Sequence, residues 1–298
     1  MLKLIYKYIR NKNIRKKINN LLWVNEFLDK FSYEKIETSN SSVEDNKYIW
    51  QLWLQGEENV PSIVRKCLDS VKRYCPSDYK VLFLDKDSIK NYIEIDANIE
   101  YKYENNLISN AHYSDYIRTC LLAKYGGIWI DSTVLLTDNI PKFILAQDFF
   151  VFKNPIWFIN KVVPNESLFK VFLQTDKDAG LYGSSWFILS KPNSHILKIQ
   201  KDLLEKYWKS ENKLCHYFLY HFFISKTLIK DNICKNIFEN MYSLSNREPH
   251  ILQQVLMQKY DKDQLEEIKK LSSIHKLTYK FDKIEKGSFL EFILGEKI

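Results

Sequence analysis

The chain has 298 residues and a mass of 35.7 kDa, which is enough for one large domain or two small ones. Its hydrophobic fraction of 45% and charged fraction of 27% exclude a mainly disordered chain, and its 7 Gly and 7 Pro exclude a fibrous protein. The net charge of +7 favours a polyanionic partner without choosing among nucleic acid, anionic lipid and phosphorylated ligands.

The basic residues are concentrated at the N-terminus. Residues 1–17 hold seven Lys and Arg side chains, and the first acid is Glu26. Apolar residues recur there at helical spacing and predict a helix over about 1–31. It is either a solvated basic helix or an amphipathic segment on an anionic membrane, where each Lys or Arg adds about 1 kcal/mol. We favour the membrane segment, because the acid-free run includes Leu4, Ile5 and Tyr8.

Cysteine usage and hydropathy bear on the compartment. The five cysteines are widely spaced and form no CxxC pair, which indicates unpaired thiols in a reducing cytoplasm. The N-terminus lacks the apolar stretch of a signal peptide, and no run of 18 or more apolar residues predicts a transmembrane helix. We therefore expect a cytoplasmic protein, attached to the inner face of the membrane if the basic segment binds lipid.

Strands alternate with helices over the first 190 residues, which predicts an α/β fold with a mostly parallel mixed sheet. The polar segment 37–47 looks like a linker, so residues 1–44 form an extension and 45–298 the main domain. The predicted elements are the strand Tyr48–Leu54, the helix Pro61–Val71, the strand Lys80–Leu84, the short helix Ser88–Tyr92, a helix from a cap at Ser114 or Asp115 to Tyr125, and the strands Ile128–Leu136, Phe149–Lys153 and Ser185–Leu189. Residues 194–270 are predicted to be helical, around Ile196–Trp208 and His216–Ile229, before a short final segment, Ser272–Lys280.

Segment 110–137, NAHYSDYIRTCLLAKYGGIWIDSTVLLT, contains the most informative residues. Asp115 and Arg118 are three residues apart and share a helical face. Asp131 lies in an otherwise apolar strand, where a carboxylate is costly unless it is paired or binds a ligand. Ligands of open α/β sheets bind at the carboxyl ends of strands, where this Asp is expected.

The order SD-x-x-R, GG and W-I-D-x-T resembles the nucleotide-sugar site of family 32 glycosyltransferases, and most closely their capsular polysaccharide synthesis branch. The likeness begins at Ile49–Gly56, includes Ser114–Thr133 and ends near Ile274–Thr278. It implies a glycosyltransferase A-type catalytic domain over 45–298, with helical additions at both ends.

The resemblance also implies roles for single residues. Trp53 would stack on the nucleobase, Asp115 and Arg118 would bind donor-sugar hydroxyls, and Asp131 would be the first acid of a DxD motif. Ser114, Ser132 and Lys276 would add further contacts to the nucleotide sugar. The implied cofactor is Mn2+ or Mg2+, and its implied ligands are Asp131, Thr133 and His275. Because Thr133 replaces the second acid of the motif, the metal requirement is open.

Each of these residues also has a purely structural interpretation. Asp115 and Arg118 could be a surface ion pair of little energetic weight. Of Trp50 and Trp53, which face opposite sides of a strand, one is expected in the core. His275 and Lys276 could be solvated. His216 and His221, which could line the acceptor side of the site, fit core or rim positions among aromatic residues better.

We therefore expect transfer of a hexose from a UDP-sugar to a saccharide or lipid-linked acceptor, with retention of configuration. Two alternatives remain open from the sequence. One is a degenerate transferase fold that acts as a scaffold, which the replacement at Thr133 leaves possible. The other is a nucleic-acid-binding protein. Two observations count against it: the chain has no recognisable nucleic-acid-binding motif, and its excess positive charge lies at one terminus and is not spread over a surface.

Overall fold

The computed structural model describes residues 47–153 and 182–295, together with residues 19, 26 and 27. Most of the predicted helix over 1–31 and most of the predicted linker 37–47 lie outside the described residues. The division of the chain near residue 44 therefore stays a prediction. The described part contains ten α-helices, seven strands and three short 3-10 helices.

Strands and helices alternate through the first half, and helices dominate the second. The strands are β1 Tyr48–Leu52, β2 Lys80–Leu84, β3 Gly127–Ile130, β4 Val134–Leu136, β5 Phe149–Lys153, β6 Gly183–Ser190 and β7 Ile274–Lys276. The helices are α1 Ser62–Tyr74, α2 Ala97–Glu104, α3 Asn110–Tyr125, α4 Lys142–Leu145, α5 His195–Ser210, α6 Leu219–Lys230, α7 Asn232–Asn240, α8 Ile251–Val255, α9 Lys262–Leu271 and α10 Phe289–Gly295. The 3-10 helices are Glu57–Asn59, Ser88–Asn91 and Glu248–His250.

Five strands form the main sheet, in the order β2-β1-β3-β6-β5. Strand β1 pairs in parallel with β2 and β3, whereas β6 is antiparallel to both β3 and β5. Four of the five strands therefore run in one direction and only β6 opposes them. The predicted α/β class, with a mostly parallel mixed sheet, is confirmed.

The two central strands are buried on both faces, which explains their continuous apolar runs. On one face, Trp50 and Trp129 pack with helices α3 and α5. On the other face, Ile49 and Ile128 pack with residues of β4 and β5. Gly127 makes this close pairing possible, because a Cβ there would lie 2.4 Å from the carbonyl oxygen of Tyr48.

Two predicted elements around the informative segment 110–137 have wrong boundaries. Helix α3 follows Ser109, so that Ser114 and Asp115 lie within it and do not cap it. The predicted strand Ile128–Leu136 is interrupted after Ile130, and residues 131–133 form a turn closed by a 2.9 Å hydrogen bond from Val134 N to Asp131 O. The interruption suits a polar triplet, because Asp and Ser side chains compete with strand pairing. Strand β4 then leaves the main sheet and pairs with β7.

Candidate functional site

A cleft of about 460 Å³ opens at the carboxyl ends of β1 and β3. It lies at the edge of the sheet where α/β proteins bind ligands. Its lining comes from the segment after β1, the first half of α3, the turn after β3, strand β7 with the residues that follow it, and the start of α6. Among the lining residues are Trp53, Ser114, Asp115, Arg118, Trp129, Asp131, Ser132, Thr133, Tyr217, His221, Lys276 and Tyr279.

Arg118 is the centre of the site. Its buried guanidinium lies 3.2 Å from Asp115 Oδ1 and 3.4 Å from Asp131 Oδ1, and it donates to the carbonyl oxygen of Ser185 at 2.6 Å. The guanidinium also lies 5.0 Å from the centre of the Trp129 ring, within cation-π range. The two acids and the arginine that the sequence placed together therefore do share one cavity.

Asp115 is the more buried of the two acids, with 14% of its side chain exposed against 25% for Asp131. Burial raises the pKa of the Asp115 carboxyl, and the neighbouring charge of Arg118 opposes that shift. Helix α3 fixes the geometry of the pair, because its residues three apart lie on the same face. The pair is therefore an internal feature of the cleft and differs from an exposed surface ion pair.

Asp131 follows the last residue of β3 and projects into the cleft. Its Oδ1 accepts a hydrogen bond from the Trp129 indole at 2.8 Å, and its Oδ2 lies 3.5 Å from Lys276 Nζ. The carboxylate is therefore oriented by two cations and one neutral donor. Such an arrangement holds the carboxylate in a fixed position, as an acid that contacts a ligand requires.

Lys276 reaches the site because β7 pairs with β4 in a register that places Lys276 opposite Val134. Its ammonium group contacts the hydroxyl of Thr133 as well as Asp131. Ser132 also lines the cleft. Its hydroxyl donates to the carbonyl oxygen of Leu52 at 2.7 Å and so joins the turn to the end of β1. The role implied for this residue in binding the nucleotide sugar stays a prediction.

His275 is placed away from the cleft. Its side chain is fully buried, and its Nε2 lies 3.1 Å from the hydroxyl of Thr137. Successive side chains of a strand point to opposite faces, so His275 and Lys276 cannot both face the same cavity. The expectation that His275 completes a metal site is therefore wrong. Burial lowers the pKa of its imidazole to about 4.

The two tryptophans near the end of β1 separate as expected. Trp50 is fully buried and donates from its indole to the carbonyl oxygen of Gly126 at 2.9 Å. Trp53 follows the strand, lines the cleft and packs edge-to-face on Tyr279, with ring centres 5.2 Å apart. Its indole nitrogen is buried and has no hydrogen-bond partner among the described residues. Trp53 is thus placed to contact a ligand.

Some residues of the cleft were not predicted from the sequence. Tyr217, Tyr279 and Trp129 line it, and none of them was among the predicted site residues. His221 also lines it, which is one of the two positions that the sequence left open for this residue. Only Trp129 had a sequence signal, because it stands two residues before Asp131 and so shares its side of the strand.

The donor atoms of the cleft suit a divalent cation poorly. Among the described lining residues, Asp115 and Asp131 are the acids, and both are ion-paired with Arg118. The hydroxyl of Thr133, which replaces the second acid, contacts the ammonium of Lys276. A Mg2+ or Ca2+ site needs several free oxygen ligands, and a lysine cation between them repels a metal.

A second group with metal-binding side chains lies outside the cleft. His195, Asp231 and Cys234 place one possible ligand atom each within 4.8 Å of one another. These side chains already stabilise the start of α7. Asp231 accepts from the backbone N–H of Cys234 at 2.7 Å and contacts His195 Nε2 at 3.2 Å, and burial raises the pKa of the Cys234 thiol. Asp231 therefore acts as the N-cap of α7, and its carboxylate also holds His195.

Comparison with known proteins identifies the family. The profile of the family described as "Capsular polysaccharide synthesis protein" matches residues 3–293. The chain belongs to this family. The branch expected from W-I-D-x-T and its neighbours is thereby confirmed.

Two curated relatives carry glycosyltransferase names. An uncharacterized glycosyltransferase of Acanthamoeba polyphaga mimivirus is 26% identical over 226 residues, which cover 65% of this chain and 88% of the relative. The O-glycosyltransferase braB of Annulohypoxylon truncatum is 31% identical over 108 residues, which cover 33% of this chain and 25% of the relative.

Among solved structures, the WbbM bifunctional glycosyltransferase is similar to this chain. The likeness covers 85% of this chain and 50% of the WbbM chain, with 10% sequence identity and a TM-score of 0.47. The PaToxG glycosyltransferase is similar over 78% of this chain and 84% of its own, with 17% identity and a TM-score of 0.38. Within the described residues of the family member, every helix is too short or too polar to cross a bilayer.

Proposed function

We propose that this family member is a glycosyltransferase that moves a hexose from a UDP-sugar to a saccharide or lipid-linked acceptor during synthesis of a capsular or surface polysaccharide. The observation that carries the proposal is the meeting of Asp115, Arg118 and Asp131 in one cleft at the carboxyl ends of β1 and β3. Family membership and the names of both relatives support the class of enzyme.

The lining suggests how a nucleotide sugar would lie. The paired rings of Trp53 and Tyr279 offer an aromatic surface to the nucleobase at one end of the cleft. Lys276 offers the diphosphate a positive charge that already has access to the cavity. The next groups along the cleft are Asp131 and Arg118, which would receive the ribose and the donor sugar.

The chemistry proposed is retaining transfer on one face of the sugar. The bond between the anomeric carbon and the diphosphate oxygen breaks, the acceptor oxygen bonds to the same face, and its proton passes to the leaving phosphate oxygen. The two carboxylates of the cleft, Asp115 and Asp131, are held by Arg118, which favours positioning over nucleophilic attack. The protein would then contribute fixed charges and orientation, which are large terms in catalysis.

We propose further that Lys276 supplies the positive charge that a divalent cation provides in a complete DxD site. Its ammonium already lies against Asp131 and Thr133, the two residues that would otherwise hold the metal. Binding of UDP should then change by less than about threefold, or about 0.7 kcal/mol, when Mn2+ is replaced by EDTA. A much larger loss in EDTA would show that a metal is needed in the complex.

The test of the central proposal is calorimetry with UDP, GDP and TDP, followed by a screen of the corresponding sugars for hydrolysis and transfer. Asp131→Asn should abolish transfer, because the amide keeps the shape of the side chain but loses its charge. Asp148→Asn is the matched control, since its carboxylate is 78% exposed and lies outside the cleft. Full transfer by the Asp131 variant contradicts the assignment. Absence of nucleotide binding by the wild type favours the scaffold alternative.

We also propose that the basic segment 1–17 brings the enzyme to anionic membranes, where a lipid-linked acceptor is present. Its seven Lys and Arg residues would each add about 1 kcal/mol of attraction to such a surface. Phe27, which follows the segment, packs on the main domain against Tyr207 and Phe223, with ring centres 5.8 and 5.9 Å apart. Co-sedimentation with phosphatidylserine vesicles, compared with a version lacking residues 1–17, tests this proposal.

A further inference from the structure

We propose that Tyr217 and His221 form a subsite for a neutral sugar ring of the acceptor. The Tyr217 ring would stack on the apolar face of that sugar, and the His221 imidazole would hydrogen-bond one of its hydroxyls. The inference rests on the proposed glycosyltransferase function and adds to it the place and the chemical class of the acceptor.

Tyr217 offers an aromatic surface that is exposed yet held in place. It is 64% exposed at the rim of the cleft. Its carbonyl oxygen accepts a hydrogen bond from His112 Nε2 at 3.1 Å, and its ring packs edge-to-face on His112 and Phe218. A fixed aromatic ring provides contact area at little cost in conformational entropy. The C–H groups on one face of a pyranose are the apolar surface that such a ring can cover.

His221 supplies the second, independent observation. It lies in the first turn of α6 and lines the same cleft. Its Nδ1 is buried and has no hydrogen-bond partner among the residues that the structure describes. Buried polar groups are normally satisfied, so the packing of the described residues does not by itself account for this imidazole in the cleft wall, and we assign the imidazole to the subsite.

The charge state of His221 selects a neutral partner. Burial, followed by the nearby charge of Arg118, lowers the pKa of the imidazole to about 3. The ring is therefore uncharged at neutral pH, with one nitrogen that donates and one that accepts. This combination matches a hydroxyl group, which both donates and accepts, and adds no attraction for a carboxylate or phosphate.

The neighbours of His221 place it beside the position proposed for the donor sugar. Lys276 lies 3.5 Å from Asp131, which lies 3.4 Å from Arg118. Tyr220 is buried behind the cleft wall, with its ring 5.8 Å from the Arg118 guanidinium and 5.9 Å from the His221 ring, so α6 holds His221 close to Arg118. With the diphosphate at Lys276 and the donor sugar beside Asp131 and Arg118, we assign the neighbouring wall of the cleft, with Tyr217 and His221, to the acceptor.

The experiment measures binding of simple sugars by saturation-transfer NMR, with the full chain loaded with UDP. The probes are the methyl glycosides of glucose, galactose and mannose, with glucuronic acid as the anionic comparison. At least one neutral glycoside should bind the wild type, and glucuronic acid should bind more weakly. Tyr217→Ala should weaken binding about three- to tenfold, whereas Tyr217→Phe should keep it, because stacking needs the ring.

Controls separate this subsite from general effects. Tyr101→Ala removes a tyrosine that is 61% exposed on α2 and should leave glycoside binding unchanged. His221→Gln, whose amide can replace Nε2, should bind better than His221→Phe, which keeps only the ring volume.

Unchanged glycoside binding by Tyr217→Ala, or no glycoside binding by the UDP-loaded wild type, overturns the subsite. UDP affinity is measured first by calorimetry. Failure of the wild type to bind any nucleotide would count against the proposed function itself, whereas nucleotide binding with a failed glycoside test would remove only the acceptor subsite.

Discussion

Replacing Arg118 with Met tests whether the charges of the cleft hold one another in place. Methionine keeps much of the aliphatic length but leaves Asp115, with 14% of its side chain exposed, without its ion pair. Breaking a buried pair by removing one partner costs about 3–5 kcal/mol. The carboxylate of Asp131 loses less stabilisation, because its side chain is 25% exposed and keeps its contacts with Trp129 and Lys276. We therefore expect Arg118→Met to lower the free energy of unfolding by about 3–5 kcal/mol.

The double variant Asp115→Asn/Arg118→Met isolates the cause. Removing the unpaired charge of Asp115 should restore about 1–3 kcal/mol of the free energy of unfolding relative to Arg118→Met alone. This is the coupling expected of residues in one charged network. Urea unfolding at pH 7, followed by tryptophan fluorescence, measures both values. Arg73→Met is the control at an exposed arginine and should change stability by less than about 0.5 kcal/mol. A loss below about 1 kcal/mol in Arg118→Met, or no recovery in the double variant, refutes the reasoning.

Three further predictions concern other parts of the molecule. Lys276→Met should weaken UDP binding about ten- to a hundredfold in calorimetry, because hydrogen bonds to charged groups contribute about 1.5–3 kcal/mol. Lys270→Met, at an exposed site, should leave UDP binding unchanged, and equal Kd values for the wild type and Lys276→Met would exclude a role for Lys276. Gly127→Ala should be insoluble when expressed, or unfolded by circular dichroism, because the residue has a φ of 91° and a Cβ there would lie 2.4 Å from the carbonyl oxygen of Tyr48. A folded, stable variant would contradict this packing. His275 has a pKa of about 4 in the folded chain, so below pH 6.5 the unfolded chain binds a proton that the folded chain does not. Between pH 7 and 5 the free energy of unfolding of the wild type should fall by about 2 kcal/mol more than that of His275→Gln. Parallel profiles of stability against pH would refute the burial argument.

Local sequence signals predicted much of the sheet. Strand β2, at Lys80–Leu84, and strand β5, at Phe149–Lys153, were predicted with the bounds that the structure has. Their apolar runs end at polar or turn residues, which is a local signal that tertiary contacts did not override. The turn 131–133 was missed, because Val134–Leu136 continues the apolar run although the chain there leaves the main sheet for β7.

The sequence by itself determined the family, the α/β class and the grouping of Asp115, Arg118 and Asp131. The grouping depends on residues close together in the chain: a pair on one helical turn, a Gly-Gly stop and a carboxylate after an apolar strand. Short spacing along a regular element fixes relative direction, so local sequence is sufficient there.

Only the tertiary structure decided which distant side chains join that group. The pairing of β4 with β7 places Lys276 in the cleft and turns His275 into the core, because adjacent strand residues face opposite sides. The approach of α6 adds His221 and leaves its Nδ1 without a hydrogen-bond partner among the described residues. Which side chains meet across more than a hundred residues depends on strand register and helix packing, which are set by the whole core and by no local pattern.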